Sequence, residues 1–255
     1  MSVGADITFE PQVLRALAKL TCSLRVTSVR PDGYHLIDAE MVTLDLADTL
    51  RVEPAVAESS LVVSGPFADG VPTDRSNLVL KALDVVGRTA AVHAVKQIPN
   101  GGGLGGGSAD AAAILRWAGV TDLEVAVGLG ADVPFCLVGG RARVLGIGER
   151  IEPMTPTVRT FTLVVPPLSV STPAVYRAWD ELGGPTADGP NDLEPAAVRV
   201  EPRLSWWRDR IGSLVGSTPV LAGSGATWFV EGSHAETLAP TERDGATVIE
   251  TTTSA

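Results

Sequence analysis

Two cysteines in 255 residues are too few for a disulfide framework. Cys22 and Cys136 both sit in apolar runs, LTCSL and PFCLV, and are expected as small buried hydrophobes in a reducing compartment. Basic residues are also scarce, with 20 Lys and Arg against 30 Asp and Glu and a formal net charge of −10. Neutralising a nucleic-acid backbone takes clustered Lys and Arg, so no nucleic-acid partner is expected. A phosphorylated small molecule is not excluded, because a few local groups can meet its charge. No apolar run approaches the ~20 residues that cross a bilayer, so no membrane partner is expected. The opening MSVGADITFE carries acids and no apolar h-region, so a secretory leader is not expected and the reading is cytoplasmic. His93 and His234 have no partners at metal-ligand spacing and read as structural or surface residues. The five tryptophans, Trp206-Trp207 among them, carry no motif and read as core or groove-lining.

What is present is ordinary globular material, 45% hydrophobic and 20% charged, enough for one large domain or two small ones. LTCSLRVTSV alternates as a half-buried strand does, and RPDG follows with turn chemistry. AEMVTLDLADTLRVEP predicts two further strand runs around a polar break, and LVVSGP another strand. SNLVLKALDVVG has helical spacing, with Ser76 as the expected cap and Gly87 as the stop. AVHAVKQIP predicts a strand ended by Pro99. ADAAAILRWA is a strong helix former, with Ser108 expected as N-cap, Asp110 in the first turn and Gly119 at the end. Thr121 and Glu124 have capping-box spacing and predict a short helix reaching Gly130. ADVPFCLVGGRARVLGIGE reads as a loop and then strands. The pattern restarts near Thr160 with strand, helix, a Pro- and Gly-rich loop, helix and three more strand runs. The sum is mixed α+β in two lobes, residues 1–155 and 156–255.

The least ordinary segment is NGGGLGGGSADAAA. Six of the seven residues from Gly101 to Gly107 are glycine, placed between a predicted strand and a predicted helix. Glycine admits positive φ and lets backbone approach a ligand closely, and a helix N-terminus presents free N–H groups. The combination is an anion site, with phosphate as the usual occupant. It is not a Walker loop, since Gly107 runs directly into Ser108 without Lys. Gly101, Gly103 and Gly106 also satisfy G-x-G-x-x-G, but any polyglycine run does, and the β-α alternation of a dinucleotide fold is missing.

PNGGGLGGGSADAAA resembles the P-x-x-x-G-L-G-G-G-S-x-D/N-A-A signature of the GHMP kinases. That resemblance implies a two-lobed α+β kinase with its site between the lobes. ATP would lie along Pro99, Asn100, Gly101, Gly102, Gly103, Leu104, Gly105, Gly106, Gly107, Ser108 and Ala109, with Asn77 near the purine and Ser108 as a ligand to phosphate-bound Mg²⁺. Five further blocks are similar to one branch of the family: AKLTCSLRV…RPDGYH, LGADVPFCLVGG, VSTPAVY, PNDLE and AGSGATWF. That branch acts on a cytidine diphosphate sugar-alcohol. The resemblance assigns Asp132 of GAD as general base and Lys19 as the cation beside the attacking hydroxyl. It also places Thr21, Tyr34, His35, Tyr176, Gly223, Ser224 and Gly225 at the substrate, the aromatics stacking on the base. Thr21 stands where the family has Asn, and the stretch 113–130 is shorter than the family pattern. Two other readings keep the fold: a GHMP kinase for a different small alcohol, and a non-catalytic nucleotide-binding derivative. A monomer or homodimer is expected.

Overall fold

The computed structural model describes residues 9–55 and 57–254. The expectation of no leader rests largely on residues 1–8, which lie outside that range. The chain is α+β. Two long strands, β1 (Gln12–Val29) and β2 (His35–Pro54), form an antiparallel hairpin around the RPDG turn. The expected break inside β2 is absent: the strand runs on through it, with Asp45 exposed and Asp48 buried. β1 begins seven residues before Lys19.

The remaining elements of the first half are β3 (Ser60–Ser64), α1 (Leu78–Val85), β4 (Ala90–Val95), α2 (Gly106–Trp117), α3 (Leu123–Leu129), α4 (Val133–Val138), β5 (Arg141–Gly146) and β6 (Arg150–Pro153). β2 is the spine of their sheet, whose order is β3-β4-β2-β5-β6, with β1 on β2. The C-terminal half of β2 pairs with β4 and its N-terminal half with β5. β3 and β4 are parallel, joined through α1. The second half holds β7 (Thr160–Val165), α5 (Thr172–Glu181), α6 (Glu194–Val200), α7 (Arg203–Val215), β8 (Val220–Leu221), β9 (Trp228–Glu231), α8 (Ala235–Leu238), α9 (Pro240–Arg243) and β10 (Thr247–Thr252). Its sheet is antiparallel, in the order β10-β7-β9-β8.

The central helix α2 buries seven consecutive residues, Ala109 to Leu115, four of them alanine, which lets it lie close on the first sheet. A second apolar cluster joins Ile37, Met41 and Phe135 of the first half to Val175, Trp207 and Trp228 of the second. Both cysteines are free. Burial pushes the Cys22 thiol up to about 11 and the Cys136 thiol to about 12, so both stay neutral. Trp179, Trp207 and Trp228 are buried, while Trp206 is half exposed.

Several local expectations are corrected. Asn77, not Ser76, caps α1, its side chain accepting from the Val79 N–H at 2.8 Å, while Ser76 hydrogen-bonds Asp74. Asp122, not Thr121, caps α3. VPFCLV is helix α4 rather than loop, with Pro134 in its first turn where a missing N–H costs nothing. α2 starts two residues before Ser108, and its cap is Gly105 in the left-handed region at φ +70°. Asp110 therefore lies past the first turn rather than in it, and it is buried.

Candidate active site

The glycine loop leaves β4 past Pro99 and enters α2 without any side-chain cap. The first amides of a helix have no intrahelical partner, and here none is taken by a capping side chain. The Ala109 N–H is the first to join the ladder, bonding the Gly105 carbonyl at 2.8 Å, and its methyl is in the core. Ala109 is thus not at the cavity, contrary to expectation. The other loop residues from Pro99 to Ser108 line a cavity of about 310 Å³, together with Asn77, Lys96 and Asp110. Asn77 borders that cavity with both polar groups committed, its Nδ2 donating to the Pro72 carbonyl at 2.7 Å.

Glycine is required in this loop at Gly103 and Gly105, both at positive φ, and a Cβ on Gly102 would meet Thr227 Oγ1 at 2.7 Å. A Cβ on Gly103, where φ is +79°, would stand 2.2 Å from the Ala222 carbonyl oxygen. One on Gly105 would stand 2.8 Å from Lys19 Cγ. The loop is therefore clamped between the 222–225 turn and the stem of Lys19. Gly103→Ala is expected to displace it by about an ångström and, for the nucleotide-dependent activity that the resemblance implies, to lower kcat/KM on the order of 100-fold. Steady-state kinetics with circular dichroism as a folding control would check this, and a loss under threefold would contradict it.

A second cavity, of about 230 Å³, adjoins the first. Gly103 and Ser108 line both. Its floor is Lys19, on β1, where the β1–β2 register slips between Leu17 and Lys19. The slip frees the Lys19 N–H to bond the Leu104 carbonyl at 3.0 Å, stitching the strand to the loop. Lys19 is 4% exposed. Its Nζ donates to Thr21 Oγ1 at 3.0 Å and lies 3.3 Å from Asp132 Oδ2. Asp132 stands at the start of α4, makes no capping bond and keeps a side chain about one-third exposed. Gly223 and Ser224 close the opposite wall. Asn191 of the PNDLE block holds their turn, its Nδ2 donating to the Leu221 and Gly223 carbonyls at 2.9 and 2.7 Å. Thr172 and Ser224 hydroxyls lie 2.7 Å apart. Gly225 does not line the cavity and instead faces Leu221 and Val170.

His35 and Tyr176 line the second cavity and also a third, of about 660 Å³, bordered by Tyr34, Gly130, Arg177 and Asp180. Tyr34 is exposed and borders only this outer space, with the Arg30 guanidinium 5.8 Å from its ring centre. Burial raises the Tyr176 hydroxyl well above its ordinary range, so it stays neutral.

Beneath the glycine loop lies a triad that sequence reasoning missed. Buried Lys96 donates to the carboxylates of Asp48 and Asp110, both also buried. Asp48 Oδ1 further accepts the backbone N–H groups of Gln97 and Ile98 at 2.5 and 2.8 Å, fixing the entry to the loop. Burial drives Asp110 up and Asp48 adds to it, with Lys96 opposing. Burial pulls Lys96 down, but the two carboxylates outweigh it and leave its pKa raised. Asp110 Oδ1 has no partner among the described residues. No His, Cys, Asp or Glu cluster among them makes a protein-only metal site. His93 bonds Ser64 and His234 the Glu231 carbonyl, as structural residues do.

A glycine cradle for an anion, opening directly onto a Lys–Asp pair, is the site of a phosphotransferase acting on small molecules. Residues 77–140 match the family model described as the N-terminal domain of the GHMP kinases. The 4-diphosphocytidyl-2-C-methyl-D-erythritol kinase of Cereibacter sphaeroides (strain ATCC 17025 / ATH 2.4.3) is 38% identical over 242 residues, covering 84% of this chain and 87% of that protein. The protein of the same description from Paramagnetospirillum magneticum (strain ATCC 700264 / AMB-1) is 37% identical, covering 88% and 89%. A crystal structure of 4-(cytidine 5'-diphospho)-2C-methyl-D-erythritol kinase superposes with a TM-score of 0.76 at 33% identity over 96% of this chain and all of that one. An L. major mevalonate kinase shares the fold, at TM-score 0.69 and 12% identity over 99% and 98% of the two chains. The chain belongs to the 4-diphosphocytidyl-2-C-methyl-D-erythritol kinase family of the GHMP kinases.

Proposed function

We propose that this protein transfers the γ-phosphoryl group of ATP to the 2-hydroxyl of 4-diphosphocytidyl-2-C-methyl-D-erythritol, a step of the non-mevalonate route to isoprenoid precursors. The observation that carries this reading is the shared wall of the two cavities. A polyphosphate in the glycine cradle would end at Gly103 and Ser108, the residues that also border the Lys19–Asp132 cavity. The acceptor hydroxyl would sit against Asp132. Its oxygen forms a bond to the γ-phosphorus as the bond to the ADP oxygen breaks, and its proton passes to Asp132. Lys19 orients Asp132 and offsets charge gathering on the transferred group. The base would enter between His35, Tyr176 and the outer cavity that Tyr34 borders.

Mg²⁺ fits the nucleotide side. Mg²⁺ binds hard oxygens and usually shares them with substrate phosphates. Ser108 and Asp110 both line the nucleotide cavity and carry side-chain oxygens of that kind. When bound, the metal would neutralise charge on the β- and γ-phosphates; the residues named here position the reactants around it.

A division at residue 155 is supported by the sheets, since each draws its strands from one side of it. We read 1–155 as the nucleotide-binding half and 156–255 as the half that completes the substrate wall, with the site in the cleft between them. No described helix is long and apolar enough to cross a membrane. A cytoplasmic monomer or homodimer, without nucleic acid, suits this reading.

A coupled ADP-release assay with Mg-ATP tests the assignment. ADP release that depends on the cytidyl substrate, with the product phosphorylated at the 2-hydroxyl, is the expected result. ATP binding without release on that substrate would overturn it, and an alcohol screen would then separate a different substrate from a non-catalytic protein.

A further inference from the structure

His35 has two ring nitrogens, and the fold uses one of them internally. Nε2 lies 2.8 Å from Asp180 Oδ1, a contact between residues 145 positions apart. The ring is also packed, with Tyr176 at 4.6 Å between centres and Trp179 edge-on at 5.6 Å. Its side chain is only 10% exposed. No other hydrogen bond of the ring is present among the described residues. Asp180 itself is 47% exposed, so the pair adds little to stability. Its consequence is chemical. An ionised carboxylate only accepts, so Nε2 must carry a proton, and the neutral ring then holds a lone pair at Nδ1.

We propose that Asp180 is a positioning residue for base selection: by holding the Nε2–H tautomer of His35, it presents Nδ1 as an acceptor that favours cytosine over uracil. The inference rests on the reading above, in which the base enters beside His35 and Tyr176. Cytosine offers an amino donor at C4, whereas uracil offers a carbonyl acceptor at the same place. An acceptor facing a carbonyl leaves both unpaired, and such mismatches cost a base roughly 10- to 100-fold in affinity. The other charged neighbour on this wall is Arg177, which makes no hydrogen bond among the described residues; Glu181 is turned away to Arg199 at 3.3 Å.

The test measures CDP and UDP binding by calorimetry to the full chain and to Asp180→Ala, Asp180→Asn, His35→Ala and the Asp180→Ala/His35→Ala double variant. Substrate kinetics follow on each. The unmutated chain is expected to prefer CDP by roughly 10- to 100-fold. Asp180→Ala should erase most of that preference, and most of its kinetic loss, about tenfold, should fall in KM rather than kcat. Asp180→Asn keeps an accepting oxygen and should retain most of the preference. In the His35→Ala background the Asp180 change should add nothing. ¹⁵N spectra of His35 should show Nε2–H in the unmutated chain and a tautomer mixture in Asp180→Ala. An unchanged CDP/UDP ratio in Asp180→Ala, or equal losses in both backgrounds, would overturn the proposal. A chain that prefers CDP but turns over no cytidyl substrate would sink the functional reading and leave this one standing. A working kinase indifferent to CDP and UDP would do the reverse.

Discussion

Asp132→Asn is expected to lower kcat roughly 10²- to 10⁴-fold while ATP affinity and Tm stay close to those of the unmutated protein. The two halves of that expectation have separate causes. The amide can still orient a hydroxyl through Oδ1, but it cannot take the proton. The fold survives because Asp132 makes no capping bond, and its ion pair with Lys19 is one-third exposed on the Asp side. ATP binding survives because Asp132 lies outside the nucleotide cavity. Stopped-flow ADP release, nucleotide titration and a thermal melt read the three quantities. A kcat within fivefold of normal would remove Asp132 from the role of base. A collapsed melt would show that it supports the fold instead.

The largest stability effect is expected at a residue with no part in the transfer itself. Lys96→Met should destabilise the protein by about 3–5 kcal/mol, because it leaves two buried carboxylates facing each other without a cation. For a chain of this size that corresponds to a fall in Tm of roughly 6–20 °C. Asp48 has backbone donors at Gln97 and Ile98 to fall back on, whereas Asp110 has, among the described residues, only Lys96. Adding Asp110→Asn to Lys96→Met should therefore recover part of the loss, since one of the two charges disappears. A Lys96→Met melt within 2 °C of normal would contradict the claim that this triad supports the loop; that threshold is below ~1 kcal/mol.

The two predictions differ in how far the sequence foreshadowed them. Asp132 and Lys19 could be nominated because GAD and AKL stand in blocks whose order matches a kinase family. Nothing local announced Lys96. It follows an alternating strand, where a Lys is ordinarily solvated, and its partners lie 48 and 14 positions away. The misplaced caps have a related cause. Ser108 precedes an alanine-rich run and looks like an N-cap, but the chain had already turned into helix at Gly106, using the left-handed conformation open to Gly105. By sequence alone VPFCLV reads as loop, because a six-residue apolar run with proline has no usable period. Packing against α2 and the sheet decides that it is a helix.

Composition and local pattern determined a great deal by themselves. The glycine run demands a backbone that bends close to an anion, and the alternations of β1 and β2 demand a sheet with one face buried. Low positive charge and few cysteines set the class of partner and the redox setting that were expected. Only the tertiary structure decided which atoms meet. The register slip beside Lys19 sends its amide to the loop and brings its ammonium to 3.3 Å from a carboxylate more than a hundred residues away. The same packing seats Gly103 on the Ala222 carbonyl, Asp180 on His35 and Lys96 between two aspartates. Such distances depend on sheet register and core packing summed over the whole chain. Short-range propensity carries no information about them.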